Sequence, residues 1–86
     1  MISAVFGTGR KWADVTYRVD DLLHQPSAVF YARAPWLGVD PNPGWNKTLV
    51  IVYEFKGQRR IFTTSGGRVS VQELIHNGKR FSKKQR

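Results

Sequence analysis

Few side chains in this sequence are of the types that act as nucleophiles, general bases or metal ligands. The 86 residues include no cysteine, which excludes thiolate chemistry, disulfides and a cysteine-based zinc site. The two histidines, His24 and His76, have no serine or carboxylate spaced to form a relay with them. The aspartates at positions 14, 20 and 21 lack the spacing of a calcium-binding loop. We therefore expect a non-catalytic protein that has no metal and no cofactor.

Residue types that bind ligands are concentrated in the stretch 35–45. It holds three of the four prolines and two of the three tryptophans, and we expect this density of proline and glycine to exclude a helix. The rings of Trp36 and Trp45 can offer flat apolar faces to a sugar or to a protein partner. The candidate polar groups beside them are Asp40, Asn42, Asn46 and Lys47. The alternative is structural, with the two rings covering one end of the fold and Asp40 starting a turn.

The charge of the chain keeps a second class of ligand open, namely nucleic acid. The formal net charge is +8, but five of the 14 basic residues lie in the tail, 77–86, which we expect to be disordered. Phosphate contacts would come from Arg10, Lys11, Lys79, Arg80, Lys83 and Lys84. In this alternative Trp12 or Phe62 stacks on bases. Arg59 and Arg60 are consecutive in a predicted strand, so they point to opposite faces and form no single patch.

The most regular pattern in the chain is the hairpin 46–64. Apolar residues alternate from Leu49 to Phe55, Gly57 permits a tight reversal, and residues 59–64 return as the partner strand. Further strands are predicted at 2–6, 12–15, 27–34 and 68–71. Thr16 is expected to cap one helical turn near Tyr17 to Leu23. Residues 70–73 have the form of a capping box, which predicts a second turn after the last strand.

These elements predict a small all-β domain, a β-sandwich or flattened barrel of six to seven short antiparallel strands with one short helical turn. We expect one domain over residues 1–76. No apolar run approaches the length of a membrane span and no signal peptide is visible, so we expect a cytoplasmic protein. Exposed strand edges leave homo-oligomers possible.

Several short runs, in their order and spacing, resemble a known family. These runs are residues 2–7, Asp14-Val15-Thr16, residues 37–41 with Pro43-Gly44, and residues 47–53 with Gly57. They are similar to the small domain at the C-terminus of a mitochondrial DnaJ-like protein, which also occurs in stand-alone bacterial and fungal chains. The resemblance implies a small β-sandwich-like module of poorly defined activity that serves as an appended interaction domain. It does not imply co-chaperone activity, because the His-Pro-Asp motif of a J-domain is absent and His24-Gln25-Pro26 does not replace it.

Overall fold

A computed structural model of the protein describes residues 3–25, 29–40 and 46–80. In this part of the chain seven strands and three helices follow one another: β1 (Ser3–Thr8), β2 (Lys11–Asp14), α1 (Thr16–Leu23), β3 (Val29–Tyr31), α2 (Ala34–Leu37), β4 (Thr48–Phe55), β5 (Gln58–Thr64), β6 (Arg68–Ser70), α3 (Val71–Asn77) and β7 (Lys79–Arg80). The strands form two antiparallel sheets, which confirms the predicted fold class. The helical content, three helices, is higher than the one short helical turn of the predicted fold class and the second turn predicted from the capping box.

The central hairpin has the predicted form. Strands β4 and β5 pair in antiparallel register, with Ile51 opposite Phe62. Leu49, Ile51 and Tyr53 are buried on one face of β4, whereas the residues between them are partly exposed. Lys56 and Gly57 both have positive φ, 54° and 78°, as two-residue turns of type I′ require.

The two sheets share one hydrophobic core. The larger sheet has the strand order β2-β1-β4-β5-β7, and the smaller sheet contains β3 and β6. The largest fully buried side chains come from both sheets and from α1: Phe6, Phe30, Leu49, Ile51, Val19 and Val69. Because α1 is an amphipathic helix of only eight residues, burial of Val19 and Leu22 against the sheets must hold it in place.

The start of α1 differs from the prediction. Val15 occupies the N-cap position and its side chain makes no capping hydrogen bond, while the amide of Thr16 donates to Asp14 Oδ1 at 2.9 Å. Thr16 is instead the first helical residue, and its hydroxyl donates a hydrogen bond to Asp14 Oδ1 (2.6 Å) and accepts one from the amide of Ala4 (2.9 Å). Asp14 and Thr16 therefore fix the corner between β2 and α1 and join it to β1.

The expectation that the stretch 35–45 contains no helix is wrong at its beginning. Residues Ala34–Leu37 form α2, which has proline in its first turn and ends at Gly38 with φ 78°. Proline is tolerated in a first helical turn because the amide that it lacks would have no helical partner there. In α3 the expected cap is confirmed, since the Ser70 hydroxyl accepts a hydrogen bond from the Glu73 amide at 3.2 Å, although this helix extends over seven residues.

The prediction of a disordered tail from residue 77 is wrong for residues 77–80. Asn77 ends α3, and β7 pairs with β5 so that Lys79 lies opposite Ile61. The rest of the tail lies outside the described residues. Within the described ranges, no helix has the length and apolar character needed to cross a membrane.

Candidate functional site

Trp36 lies on α2 beside a second aromatic side chain that the sequence analysis did not single out. Its ring centroid is 6.3 Å from that of Tyr31, with the two planes tilted by 54°. Each residue is about two-fifths exposed, at 40% for both. Part of Trp36 is therefore open to solvent, and the choice between a ligand-binding ring and a cover over one end of the fold stays a prediction. The other tryptophan of the stretch, Trp45, lies outside the described residues, as does Asn42.

Two arginines hold this aromatic pair in place. Arg18 Nε, on α1, donates a hydrogen bond to the carbonyl of Trp36 at 2.8 Å, which fixes the backbone of α2. Arg33, just before α2, donates from Nε to the carbonyl of Gly66 at 3.2 Å, and its guanidinium carbon lies 5.7 Å from the centroid of the Tyr31 ring. A guanidinium over an aromatic face is an attractive contact, and the remaining guanidinium nitrogens of Arg33 keep further donors.

Arg33 also borders a cleft of about 530 Å³. Phe6, Ala32 and Ala34 contribute apolar surface, and the other lining residues besides Arg33 are Asn46, Lys47, Ser65 and Gly66. The cleft thus lies between the β3–α2 segment and the ends of β4 and β5. Because Arg33 contacts Tyr31 and Tyr31 contacts Trp36, the cleft and the aromatic pair are continuous. We call Tyr31, Arg33, Trp36 and the lining of this cleft the α2 surface.

Of the predicted ligand-binding residues, Trp36, Asn46 and Lys47 belong to the α2 surface. Asp40 is paired with Lys47, whose Nζ lies 2.9 Å from Asp40 Oδ1. The Lys47 side chain is only 10% exposed. This ion pair joins the chain after α2 to the start of β4, so it shapes one wall of the cleft.

Tyr31, Arg33 and Ser65 carry the exposed aromatic, charged and hydroxyl groups of this surface that the sequence analysis missed. One signal for Tyr31 was present, because alternation in a half-buried strand places the neighbours of a buried Phe30 on the exposed face. Arg33 and Ser65 are 32 positions apart in the chain and come together through pairing of β3 with β6 and of β4 with β5. No pattern in the local sequence indicates that Arg33 and Ser65 lie close together.

Among the residues that the structure describes, the basic residues of the nucleic-acid alternative are divided between two places. Arg10 and Lys11 lie at the turn into β2, whereas Lys79 lies on β7, and these two strands form opposite edges of the larger sheet. Arg80 is the other residue of β7, and Lys83 and Lys84 lie outside the described residues. Phe62 is only 7% exposed and belongs to the core, so the expectation that it stacks on bases is wrong. Trp12, at 43% exposed, remains accessible.

The histidines occupy helix ends. Nδ1 of His24 lies 2.7 Å from the carbonyl oxygen of Asp20, at the end of α1, and His76 is in the last turn of α3. Within the described residues, no three His, Cys, Asp or Glu side chains lie close enough together to hold a metal ion.

Contacts within the fold shift the pKa values of two side chains, Asp14 and Tyr53. The Thr16 hydroxyl and then its amide donate hydrogen bonds to Asp14, which lowers the pKa of this carboxylate. Burial raises the pKa of the Tyr53 hydroxyl, against the opposite effect of the nearby Arg60 charge. Neither group lines the cleft.

Comparison with protein-family models, with curated proteins and with solved structures found no match. The resemblance to the C-terminal domain of the DnaJ-like protein therefore stays a prediction.

Proposed function

We propose that the protein is a non-catalytic binding module that engages a segment of a protein partner at the α2 surface. The observation that carries this proposal is the continuity of an exposed aromatic pair, Tyr31 and Trp36, with a cleft bordered by the positioned guanidinium of Arg33. Exposed aromatic and arginine side chains are the residue types most enriched at the centres of protein interfaces.

The guanidinium of Arg33 favours an acidic segment of the partner. Two further arginines lie nearby: Arg18 contacts the backbone of Trp36, and Arg68 is the cross-strand neighbour of Tyr31. Each of these two is paired with a carboxylate of the chain, Arg18 with Asp21 at 4.0 Å and Arg68 with Glu73 at 3.9 Å, so the proposal depends on Arg33. The guanidinium of arginine presents a planar set of donors that matches a carboxylate. In Arg33, the hydrogen bond from Nε to the Gly66 carbonyl orients the guanidinium before a carboxylate binds. A partner segment with Asp or Glu beside an apolar residue would satisfy both the arginine and the rings.

A carbohydrate is the second candidate, and one observation favours it. The Tyr31 and Trp36 rings are both exposed, and Asn46 and Ser65 supply neutral hydrogen-bonding groups in the adjoining cleft. Neutral sugars bind through such ring faces and directional hydrogen bonds, with little dependence on salt. An acidic peptide would instead bind less tightly as salt increases.

A direct test is to measure binding of the intact protein to an array of acidic peptides and to a glycan array, each at low and high salt. We expect salt-sensitive binding to peptides that combine acidic and apolar residues. Trp36→Ala and Arg33→Gln should each weaken this binding by roughly tenfold, the scale of one lost interface contact.

Matched controls separate this surface from general effects of exposed residues. Tyr17→Ala removes a ring whose residue is 91% exposed on α1, and Arg10→Gln removes a charge at the turn before β2. Both should bind as the wild type does, and all variants should keep the melting temperature within a few degrees. Salt-resistant binding to glycans alone would favour the second candidate, while equal binding by Trp36→Ala and wild type would reject the α2 surface.

A further inference from the structure

The outer face of the larger sheet carries apolar side chains that do not belong to the core. Alternation along the strands turns Ala4, Phe6, Leu49 and Ile51 inward. Their neighbours on the opposite face are partly exposed and lie outside the core cluster; we call them the outer patch, formed by Val5, Val50, Val52 and Ile61. Cross-strand pairing places Val5 beside Val50 and Val52 beside Ile61, so the four side chains are contiguous.

The charges on this face are balanced, unlike those of the chain as a whole. By strand alternation the charged residues that share the face in the described strands are two acids, Asp14 and Glu54, and two bases, Arg59 and Lys79. The chain carries a formal net charge of +8. A second copy of the protein can therefore approach this face without the repulsion that it would meet over the rest of the surface.

The arrangement of the outer patch is also compatible with two-fold symmetry. Strand β4, which carries Val50 and Val52, is the middle strand of five, with Val5 on one neighbour and Ile61 on the other. A two-fold axis parallel to β4 would exchange β1 with β5 and place the β2 edge over the β7 edge of the second copy. Asp14 on β2, level with Val50, and Lys79 on β7, level with Val52, would then lie about 7 Å apart along the strand direction, near enough for the long lysine side chain to approach the carboxylate, and this pair of opposite charges would occur twice.

We propose that two copies of this chain pack face to face through the outer patch, forming a two-fold dimer in which the two larger sheets make a β-sandwich. Sheets in such a sandwich lie about 10 Å apart. Five strands span about 19 Å, and strands of about six residues span about 20 Å, which gives a flat area of about 400 Å² per copy. This is about half of what standard stable interfaces bury, so the dimer is weak, with a dissociation constant on the order of 0.1 mM.

The test is sedimentation velocity of the full chain at concentrations from well below to well above that dissociation constant. The wild type should shift from monomer to dimer as its concentration rises. Val52→Lys places a charge in the middle of the patch on each copy and should weaken the dimer more than roughly tenfold. Val52→Thr keeps the side-chain shape and the strand propensity but replaces one methyl group with a hydroxyl, so it should weaken the dimer with the fold intact.

Two further variants give the experiment its controls. Tyr17→Lys adds the same charge at a residue 91% exposed on α1 and should leave the dimer unchanged. Lys79→Glu should weaken it, because the substitution replaces an attraction to the nearby Asp14 of the second copy with a repulsion. A protein that stays monomeric at all concentrations, or a dimer that is unaffected by Val52→Lys, would overturn the proposal, and a dimer unaffected by Lys79→Glu would overturn this orientation of the two copies.

Discussion

The hydroxyl of Tyr53 donates a hydrogen bond of 2.5 Å to the carbonyl of Leu74 and so joins the middle strand of the larger sheet to α3. This contact depends on Gly78. A Cβ atom added there would lie 1.5 Å from the Tyr53 hydroxyl and 2.8 Å from the Leu74 carbonyl oxygen. The residue between α3 and β7 is therefore a glycine because the tyrosine passes against its backbone.

Gly78→Ala should lower the free energy of unfolding by about 2–4 kcal/mol, since it overpacks this contact and disrupts a buried hydrogen bond. Urea denaturation measures the loss. Gly9→Ala is the matched control: Gly9 has φ 57° but no neighbour within 4 Å of an added Cβ, so only backbone strain of about 1 kcal/mol is expected. In the double variant Gly78→Ala with Tyr53→Phe, removal of the hydroxyl should restore part of the stability that Gly78→Ala loses. If the losses of the two single variants simply add in the double variant, contact between the added Cβ and the Tyr53 hydroxyl is not the cause.

Asp14 should contribute to the acid stability of the fold. Hydrogen bonds from Thr16 lower its folded-state pKa, so its contribution is fully present above the unfolded-state pKa, near 3.9, and is lost as the pH falls through the folded-state pKa. Asp14→Asn should therefore show a shallower decrease of stability than the wild type below about pH 4 in acid titration followed by circular dichroism. Thr16→Val, which keeps the carboxylate but removes one donor, should reproduce part of this change. If the stability of Thr16→Val decreases with falling pH as steeply as that of the wild type, the hydrogen bonds from Thr16 are not the cause of this pH dependence.

At the scale of elements, the turn between β4 and β5 sets the register of the central hairpin. Gly57 has φ 78°, and nothing lies within 4 Å of an added Cβ, so any cost of substitution there is conformational. Gly57→Ala should lower the free energy of unfolding by about 1 kcal/mol, and Gly57→Asn by clearly less, because asparagine tolerates positive φ better. Thermal melts of the two variants measure the difference, and equal losses would show that the side chain, and not the backbone angle, causes the effect.

Elements defined by local pattern were predictable, and those defined by distant contacts were not. Alternation and one glycine determine β4 and β5, and the Ser70 cap determines the start of α3. The helix at Ala34–Leu37 was missed because the prolines were counted over the whole stretch, whereas Pro35 falls in the first helical turn, where proline is tolerated. The hydrogen bond from Arg18 on α1 to the Trp36 carbonyl is a distant contact that the local sequence does not indicate. Strand β7 was missed because two basic residues carry no strand pattern, and only pairing with β5 orders them. In the same way, the sequence indicates Trp36 as a candidate binding residue, whereas Tyr31 and Arg33 can be identified only from their positions in the fold.

At the scale of the whole molecule, the shared core should make the two sheets unfold together. Phe30 is fully buried on β3 in the smaller sheet, and it belongs to the same cluster as Phe6 and Ile51 in the larger one. An 86-residue domain has only about 4–13 kcal/mol of total stability, so neither sheet can be expected to persist after that cluster is lost.

Phe30→Leu tests this coupling, and should lower the free energy of unfolding by about 1 kcal/mol while keeping the fold. Guanidinium denaturation would be followed by far-ultraviolet circular dichroism and by the fluorescence of Trp12 in a background of Trp36→Phe and Trp45→Phe. Trp12 lies on β2, the strand at one edge of the larger sheet. If one core supports both sheets, the Trp12 transition shifts by the same amount as the circular dichroism transition, even though the substitution is in the other sheet. Tyr17→Phe, at an exposed residue of α1, should shift neither the circular dichroism transition nor the Trp12 transition. If Phe30→Leu leaves the Trp12 transition unchanged, the two sheets are separate folding units.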